Sequence, residues 1–343
     1  MSKKEQLDYL GVSAFAESMG MMIQSGVSNE EALLLLKQDS HGGILASALE
    51  GMAKDAEEGK GLHEAMEHSG IFPEYALQMV KAGEKTGSLE KVMNHLASYY
   101  QNQKEISDQL RSAVIYPASM IAMIIVVLII MLRMVLPAFS SVYANLSPSS
   151  AGYIRFAYLL CRILLVVMIV FVAVILCGLF LWKNGKKSTV ESVLRRIPLL
   201  ANILDDMGTF RFTSAFEMYL ASGEMQDEAL LNSMQLVDCS AVEEKLKRCA
   251  KHMEEGHGFA YAANKEELYE AIYGRMLVPA ERSGNMEGIL ERLTALLKAD
   301  ISNSVTRFVN TVEPLLSGIL MISIGLILIS LMLPLIGMMN SIG

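Results

Sequence analysis

Cysteine is scarce in this chain, with four among 343 residues and no CxxC pair. Cys161, Cys177, Cys239 and Cys249 have spacings that suit neither a disulfide framework nor a zinc site. They read as small apolar residues in a reducing compartment. Stretches that alternate apolar and polar are also lacking, which excludes appreciable β structure. Basic stripes are missing as well. The net charge is −8, with acids grouped at Asp55/Glu57/Glu58, Asp227/Glu228, Glu243/Glu244 and Glu254/Glu255. Nucleic acid is thereby excluded as a partner, because its backbone requires clustered Lys and Arg. The acid runs read either as solvated helix faces or as an acidic docking surface for a protein. Near the start, Lys3 and Lys4 lead into Glu5 and Asp8 rather than an apolar core, so no signal peptide is expected.

Catalytic constellations are absent too. His63-Glu64 with His68 resembles a zinc-protease motif, but five residues at about 100° each leave the two rings about 140° apart on a helix. The segments 83–87 and 185–188 echo phosphate loops without the full glycine-to-lysine spacing after a strand. No serine–histidine arrangement has supporting context. The chain is expected to be no enzyme, with no catalytic residues, no cofactor and no metal.

What the chain has in abundance is apolar residues, 52% of the total. Three runs, 114–136, 163–182 and 315–336, each reach the roughly 20 residues a helix needs to cross about 30 Å of hydrocarbon. They also accompany an internal duplication. Ser25-Gly26 followed by Glu31-Ala32-Leu33-Leu34 recurs as Ser222-Gly223 followed by Glu228-Ala229-Leu230-Leu231. Glu57-Glu58-Gly59-Lys60-Gly61 recurs as Glu254-Glu255-Gly256-His257-Gly258, and Pro117 and Pro314 each open an apolar run. All of these pairs share one offset, so the fold is a repeat.

Charge and parity set an expected topology. Arg111 precedes the first run, 135–154 holds no Lys or Arg, and Lys183, Lys186, Lys187, Arg195 and Arg196 follow the second. The positive-inside rule then puts both soluble halves in the cytoplasm. Two same-sense copies ending in outward helices need one extra crossing, which the unduplicated middle run supplies. The expected fold is all-α, with two homologous cytoplasmic helical bundles and three transmembrane helices. The expected divisions are 1–112 (first bundle), 113–136 (first crossing), 137–155 (outer loop), 156–182 (second crossing), 183–312 (second bundle), 313–338 (third crossing) and 339–343 (outer tail). Arg133, Arg155 and Arg162 fall toward the outer ends of their helices. Arg133 lies about 33 Å along the helix from Arg111, so it can snorkel to the interface or pair with a partner's acid.

Within each copy, short amphipathic helices bounded by Gly26, Gly42-Gly43, Gly59/Gly61 and Gly70/Pro73 should precede one long helix that continues into the membrane. Ser28 with Glu31 makes a capping box. Pro117 and Pro314 can bend or loosen the long helices. The third span carries small residues at Gly318 and Gly325, and at Ser323, Ser330 and Gly337, which favour close packing on two sides. The sharpest local motif is Glu84-Lys85-Thr86-Gly87-Ser88-Leu89-Glu90, returning as Glu281-Arg282-Ser283-Gly284-Asn285-Met286-Glu287. Gly87 and Gly284 supply a positive-φ helix end, and Ser88 and Asn285 are suited to cap the next helix. Glu84 and Glu281 sit at a helix C-terminus, where an acid opposes the dipole by about 0.3–1 kcal/mol. Such a placement implies either a specific intramolecular hydrogen bond or a contact with a partner or metal.

Taken in this order, these residues resemble the type II secretion system F and type IV pilus inner-membrane platform proteins. The resemblance rests on the paired Ser-Gly…Glu-Ala-Leu segments, the Glu-x-x-Gly-x-[Leu/Met] turns (Glu84, Gly87, Leu89; Glu281, Gly284, Met286), Tyr116-Pro117 and Glu313-Pro314. It runs from about 15 to 336. The outer loop offers only Leu146-Ser147-Pro148 of the fuller stretch common in the family, and Glu224 stands where an apolar residue usually follows the glycine. The resemblance implies an oligomeric scaffold in the cytoplasmic membrane on which a cytoplasmic ATPase docks. Pilin or pseudopilin transmembrane helices would pass its spans into a growing fibre. A small multi-pass transporter or permease subunit is the alternative, though the runs lack the mid-membrane acid or base that transport usually needs.

Overall fold

The computed structural model describes residues 6–40, 42–138, 140, 151–183, 198–237 and 239–342. Among these there is no strand. The first copy contains α1 (Tyr9–Gln24), α2 (Asn29–Asp39), α3 (Gly43–Glu57), α4 (Leu62–Ser69), α5 (Glu74–Thr86) and α6 (Leu89–Ile130). A π-helical turn, Met131–Val135, follows α6, and α7 spans Ala151–Lys183. The second copy contains α8 (Pro198–Ala221), α9 (Gln226–Met234), α10 (Ser240–Glu254), α11 (Phe259–Lys265), α12 (Ala271–Ser283) and α13 (Met286–Ile342).

Local chemistry fixes the boundaries. Asp8 caps α1 through Gly11 N–H at 3.0 Å, and Ser28 caps α2 through Glu31 N–H at 3.2 Å. Helix ends fall on left-handed glycines in matched pairs: Gly26 with Gly223, Gly59 with Gly256, and Gly87 with Gly284. The duplication therefore extends to the backbone. One pair breaks the rule. Gly70, at φ 67°, ends α4, whereas its counterpart is Glu267, at φ 49°. A side chain at that angle is strained by about 1–2 kcal/mol.

Two compact units emerge: Met1–Asp108 with Asn202–Asn303, and Gln109–Ala201 with Ser304–Gly343. The first holds both bundles, which the sequence would treat as separate domains. Each copy packs its long helix on its first helix. Buried Val92, Met93 and Leu96 serve α6, and Leu290, Leu293 and Leu297 serve α13, against cores that include Phe15, Met19, Phe212 and Phe216.

The two copies meet inside this unit through aromatic rings. Tyr99 stacks on Tyr75 at 4.1 Å and on Phe210 of α8 at 6.1 Å, nearly parallel in both cases. His95 Nε2 lies 3.1 Å from Tyr75 OH and 3.4 Å from Ser214 Oγ. Burial pushes the His95 imidazole down to about 4, so the ring is neutral and Nε2 meets both hydroxyls without a charge. Lys298 of α13 reaches Asn102 Oδ1 at 2.7 Å and Glu105 at 2.5 Å on α6.

The second unit is apolar outside as well as inside. Its core is Ile121, Ile124, Leu128 and Leu136, with Cys161 and Met168 of α7 and Leu316 of α13. Met123, Val126, Ile130 and Met134 form an exposed stripe on one helix; Phe156, Leu159, Ile163, Val166 and Val170 form another on α7. Such stripes are of the kind that a protein partner or lipid covers. Among the described residues, two helices are long and apolar enough to cross a membrane, Leu89–Ala138 and Met286–Ile322. The middle run lies in α7, and most of its side chains beyond 173 fall outside the described residues, as do most of the expected outer loop with Leu146-Ser147-Pro148 and the basic stretch 184–197.

Three features add detail to these expectations. Helix α7 starts at Ala151, inside the stretch 137–155 expected to lie outside the membrane. Pro117 and Pro314 interrupt neither α6 nor α13, and the irregularity in the first span is instead the π turn around Arg133. Among the described residues, a Cβ on Gly318 or Gly325 meets no atom within 4 Å, so both keep open space beside the helix. The surroundings of Ser323, Ser330 and Gly337 lie outside those described.

Candidate functional site

The twin acids have partners. Glu84, in the last turn of α5, accepts from Leu62 N–H at 2.5 Å and His63 N–H at 3.3 Å, the first amides of α4. Helix α4 has Gly61 as its N-cap and no side-chain cap of its own, so Glu84 supplies one from 22 residues away. Its charge also sits at the positive end of the α4 dipole, which offsets its unfavourable place at the end of α5. In the second copy, Glu281 accepts from Ala260 N–H at 3.2 Å, at the start of α11.

This bond explains a second landmark. A Cβ on Gly61 would lie 3.0 and 3.1 Å from the Glu84 oxygens, and one on Gly258 would lie 2.5 and 2.6 Å from those of Glu281. The glycine before α4 or α11 and the glutamate near the end of α5 or α12 are therefore two halves of one clasp. Gly87 and Gly284 end their helices at φ 71° in both copies. Lys85, Thr86 and Gly87, like Arg282, Ser283 and Gly284, face solvent, while Leu89 is half-buried and Met286 buried. Ser88 does not cap α6 as its type suggests. Its hydroxyl lies 2.6 Å from Thr86 Oγ1 instead. Asn285 lies over Gly288.

Where the long helices become apolar, Tyr116 OH donates to Glu313 Oε1 at 2.9 Å. These residues are each other's counterparts, 197 positions apart. The bond joins the two long helices at Tyr116-Pro117 and Glu313-Pro314. No sequence pattern links a tyrosine to its own repeat partner.

Two features of the first unit escaped the sequence. One is the aromatic junction. Tyr75, His95, Tyr99 and Tyr100 have Ile272, Arg292, Leu296 and Leu297 as counterparts, and this mismatch between copies is the signal that could have found it. The other is a groove of about 590 Å³ along α3 and α4, lined by Gly43, Ser47, Gly51, Asp55, His68 and Ser69. In the second copy the counterpart of Gly51 is Arg248, which pairs with Glu244 and Glu266. His68 in this groove holds Asp55 at 3.1 Å, and His63 binds Leu77 O at 3.1 Å, so the two histidines serve different contacts.

One half-buried acid is also under tension. Burial pushes Glu217 up to about 7, against the Thr294 hydroxyl that stabilises its charge at 3.0 Å, with Glu291 and Glu287 adding repulsion.

Comparison with known proteins bears on what this arrangement serves. The family model described as type II secretion system (T2SS), protein F matches residues 15–137 and again 212–334. The two matches repeat the offset of the duplication. The type IV pilus assembly protein PilC of Thermus thermophilus is 22% identical over 320 residues, covering 92% of this chain and 79% of its own. The type II secretion system protein F of Aeromonas hydrophila is 22% identical over 314 residues, covering 89% and 80%. PilC of Pseudomonas aeruginosa is 19% identical over 323 residues, covering 92% and 86%.

Proposed function

Because this chain belongs to the family of type II secretion system protein F, we propose that it is the platform of a secretion or type IV pilus-like machine, coupling a cytoplasmic ATPase to the assembly of pilin or pseudopilin subunits. In this reading the protein is a multi-pass protein of the cytoplasmic membrane with both bundles on the cytoplasmic side. It works as a homo-oligomer, and its apolar spans are the surface past which pilin transmembrane helices leave the bilayer.

The observation that carries this reading is the continuity of α6 and α13. Each is a single helix from a packed bundle residue, Leu89 or Met286, to the apolar stretch beyond Pro117 or Pro314. A helix transmits displacement along its axis because each turn is hydrogen-bonded to the next. A motor acting on the bundles would thus move the spans, and the Tyr116–Glu313 bond would make them move together.

The Glu-x-x-Gly turns frame the surface on which the ATPase docks, with Glu84 and Glu281 holding each turn against its neighbouring helix. Lys85 and Arg282 present the exposed charge beside them. Reversing Glu84 and Glu281 together is expected to abolish co-purification of the ATPase from membranes while membrane insertion persists. Lys85→Glu with Arg282→Glu changes the surface and spares the clasps, and it should weaken docking as well. Unchanged ATPase recovery in both double variants refutes the assignment.

A further inference from the structure

Arginines inside apolar spans ordinarily face the interior of a bundle, where they find acids or carbonyls. Here they do not. Arg133 is exposed in the stripe that runs through Val126 and Ile130 to Met134. Arg155 and Arg162 are exposed too, on the α7 stripe of Phe156, Leu159, Ile163 and Val166. The buried side of α7 is given by Cys161 and Met168, on its other face. None of the three arginines forms an ion pair with a described residue.

The chain has no acid to offer them there. Residues 109–201 and 304–343 contain two, Glu191 and Glu313. Glu313 is engaged by Tyr116, and Tyr116 is about 26 Å of helix away from Arg133. Glu191 comes eight residues after Lys183, where α7 ends about 32 Å of helix from Arg162. No described acidic side chain of these segments is therefore placed to neutralise them, which points to a counter-charge outside the protomer.

Position along the spans identifies its source. Arg133 is followed by three apolar residues and Pro137, and Arg162 immediately precedes the run 163–182. Arg155 lies seven residues, about 10 Å, further out on the same stripe. Arg133 and Arg162 thus stand at the edges of their apolar runs, where the phosphates of a bilayer would lie, and Arg155 stands just beyond that edge, on the headgroup side. A partner helix's buried carboxylate would call for an arginine near mid-span. Within the second unit, the π turn that carries Arg133 packs against α7, which brings the arginine-bearing ends of two helices into one region. Guanidinium is also the side chain best matched to phosphate, through paired N–H donors.

We propose that Arg133, Arg155 and Arg162 form a binding surface for the phosphate of anionic phospholipid headgroups, holding the arginine-bearing ends of these spans at one depth in the bilayer. This inference rests on the reading of the apolar helices as membrane spans. A favourable charge near an anionic surface strengthens association about fivefold per arginine.

The test uses the full-length protein in neutral detergent, titrated with phosphatidylglycerol or phosphatidylcholine and read by native mass spectrometry. Phosphatidylglycerol is expected to bind at least about tenfold more tightly, and inorganic phosphate at about 10 mM should not displace it. R133Q/R155Q/R162Q should bring the two lipids to parity, while R133K/R155K/R162K retains a preference and guards against misfolding. K37Q/K54Q/K265Q, on the bundles, should change nothing. Equal binding of both lipids by the unaltered protein, or a preference that survives the glutamine variant, overturns the proposal. So does displacement by inorganic phosphate. Failure of the protein to fractionate with membranes would instead overturn the spans themselves.

Discussion

The clasp between Glu84 and Gly61 can be tested by a double-mutant cycle. Glu84→Ala removes an ionised acceptor from Leu62 N–H and His63 N–H, leaving α4 with a glycine N-cap and no side-chain cap. Hydrogen bonds to charged groups contribute about 1.5–3 kcal/mol, and loss of a cap alone costs about 0.5–2 kcal/mol. A loss of about 2 kcal/mol is therefore expected, most of it local to α4. Gly61→Ala acts on the same bond from the other side, because the added Cβ would press on both carboxylate oxygens at 3.0–3.1 Å. Gly61 itself has φ −66°, which alanine accepts readily, so the substitution carries no backbone penalty. Once Glu84 is gone the clash is gone too, and Gly61→Ala should cost only what alanine costs in place of glycine at an N-cap, about 0.5 kcal/mol. The expected coupling is about 1–2 kcal/mol. Hydrogen exchange of the peptide covering 59–70 in the full-length protein reads it directly. Glu84→Ala should speed exchange there by about 10- to 100-fold. Additive effects of the two substitutions, or unchanged exchange at Leu62 and His63, would refute the clasp. The tighter Gly258–Glu281 contact should give a coupling at least as large.

Other expectations follow from single residues. The His95 pKa is depressed by burial from 6.5 to about 4, so this residue contributes stability above about pH 6.5 that is lost as pH falls toward 4. His95→Gln should flatten that acid loss, of order 2–3 kcal/mol, in melting curves between about pH 7 and 4.5. Glu217 has the opposite sign. Its pKa is raised from 4.5 to about 7, so stability falls as pH rises through that window. Glu217→Gln should stabilise the protein at about pH 8 by about 2 kcal/mol and leave it unchanged at about pH 4, again read by melting. Glu267→Gly should relieve the left-handed strain and stabilise by about 0.5–1 kcal/mol, whereas Gly70→Ala should destabilise by a similar amount, measured by thermal unfolding.

Much of the fold was legible because each copy repeats its punctuation. Gly26, Gly59 and Gly87 mark helix ends that chain sterics permit to few other residues, and their counterparts mark the same ends again. The acid at the end of α5 was legible as an anomaly. Its partner was not, because a cap delivered from 22 residues away leaves no local pattern; only the paired glycine at 61 hinted at it. The aromatic junction was hidden for a related reason. Tyr75, His95, Tyr99 and Tyr100 lie on periodic helix faces, and periodicity tells that a face is covered without telling by what. The union of both bundles in one compact unit depends on that junction, so it was hidden too. The π turn at Met131–Val135 has no composition signature, and the apolar pattern passes through it unchanged.

The platform account requires both bundles to stand on one side of the bilayer. Cysteines placed at exposed Lys85 and Arg282, with a third at Ser149 in the expected outer loop, can be challenged in intact cells by a membrane-impermeant maleimide. Labelling of position 149 alone, with 85 and 282 reacting only after permeabilisation, is the outcome expected; reaction of either 85 or 282 from outside would contradict it.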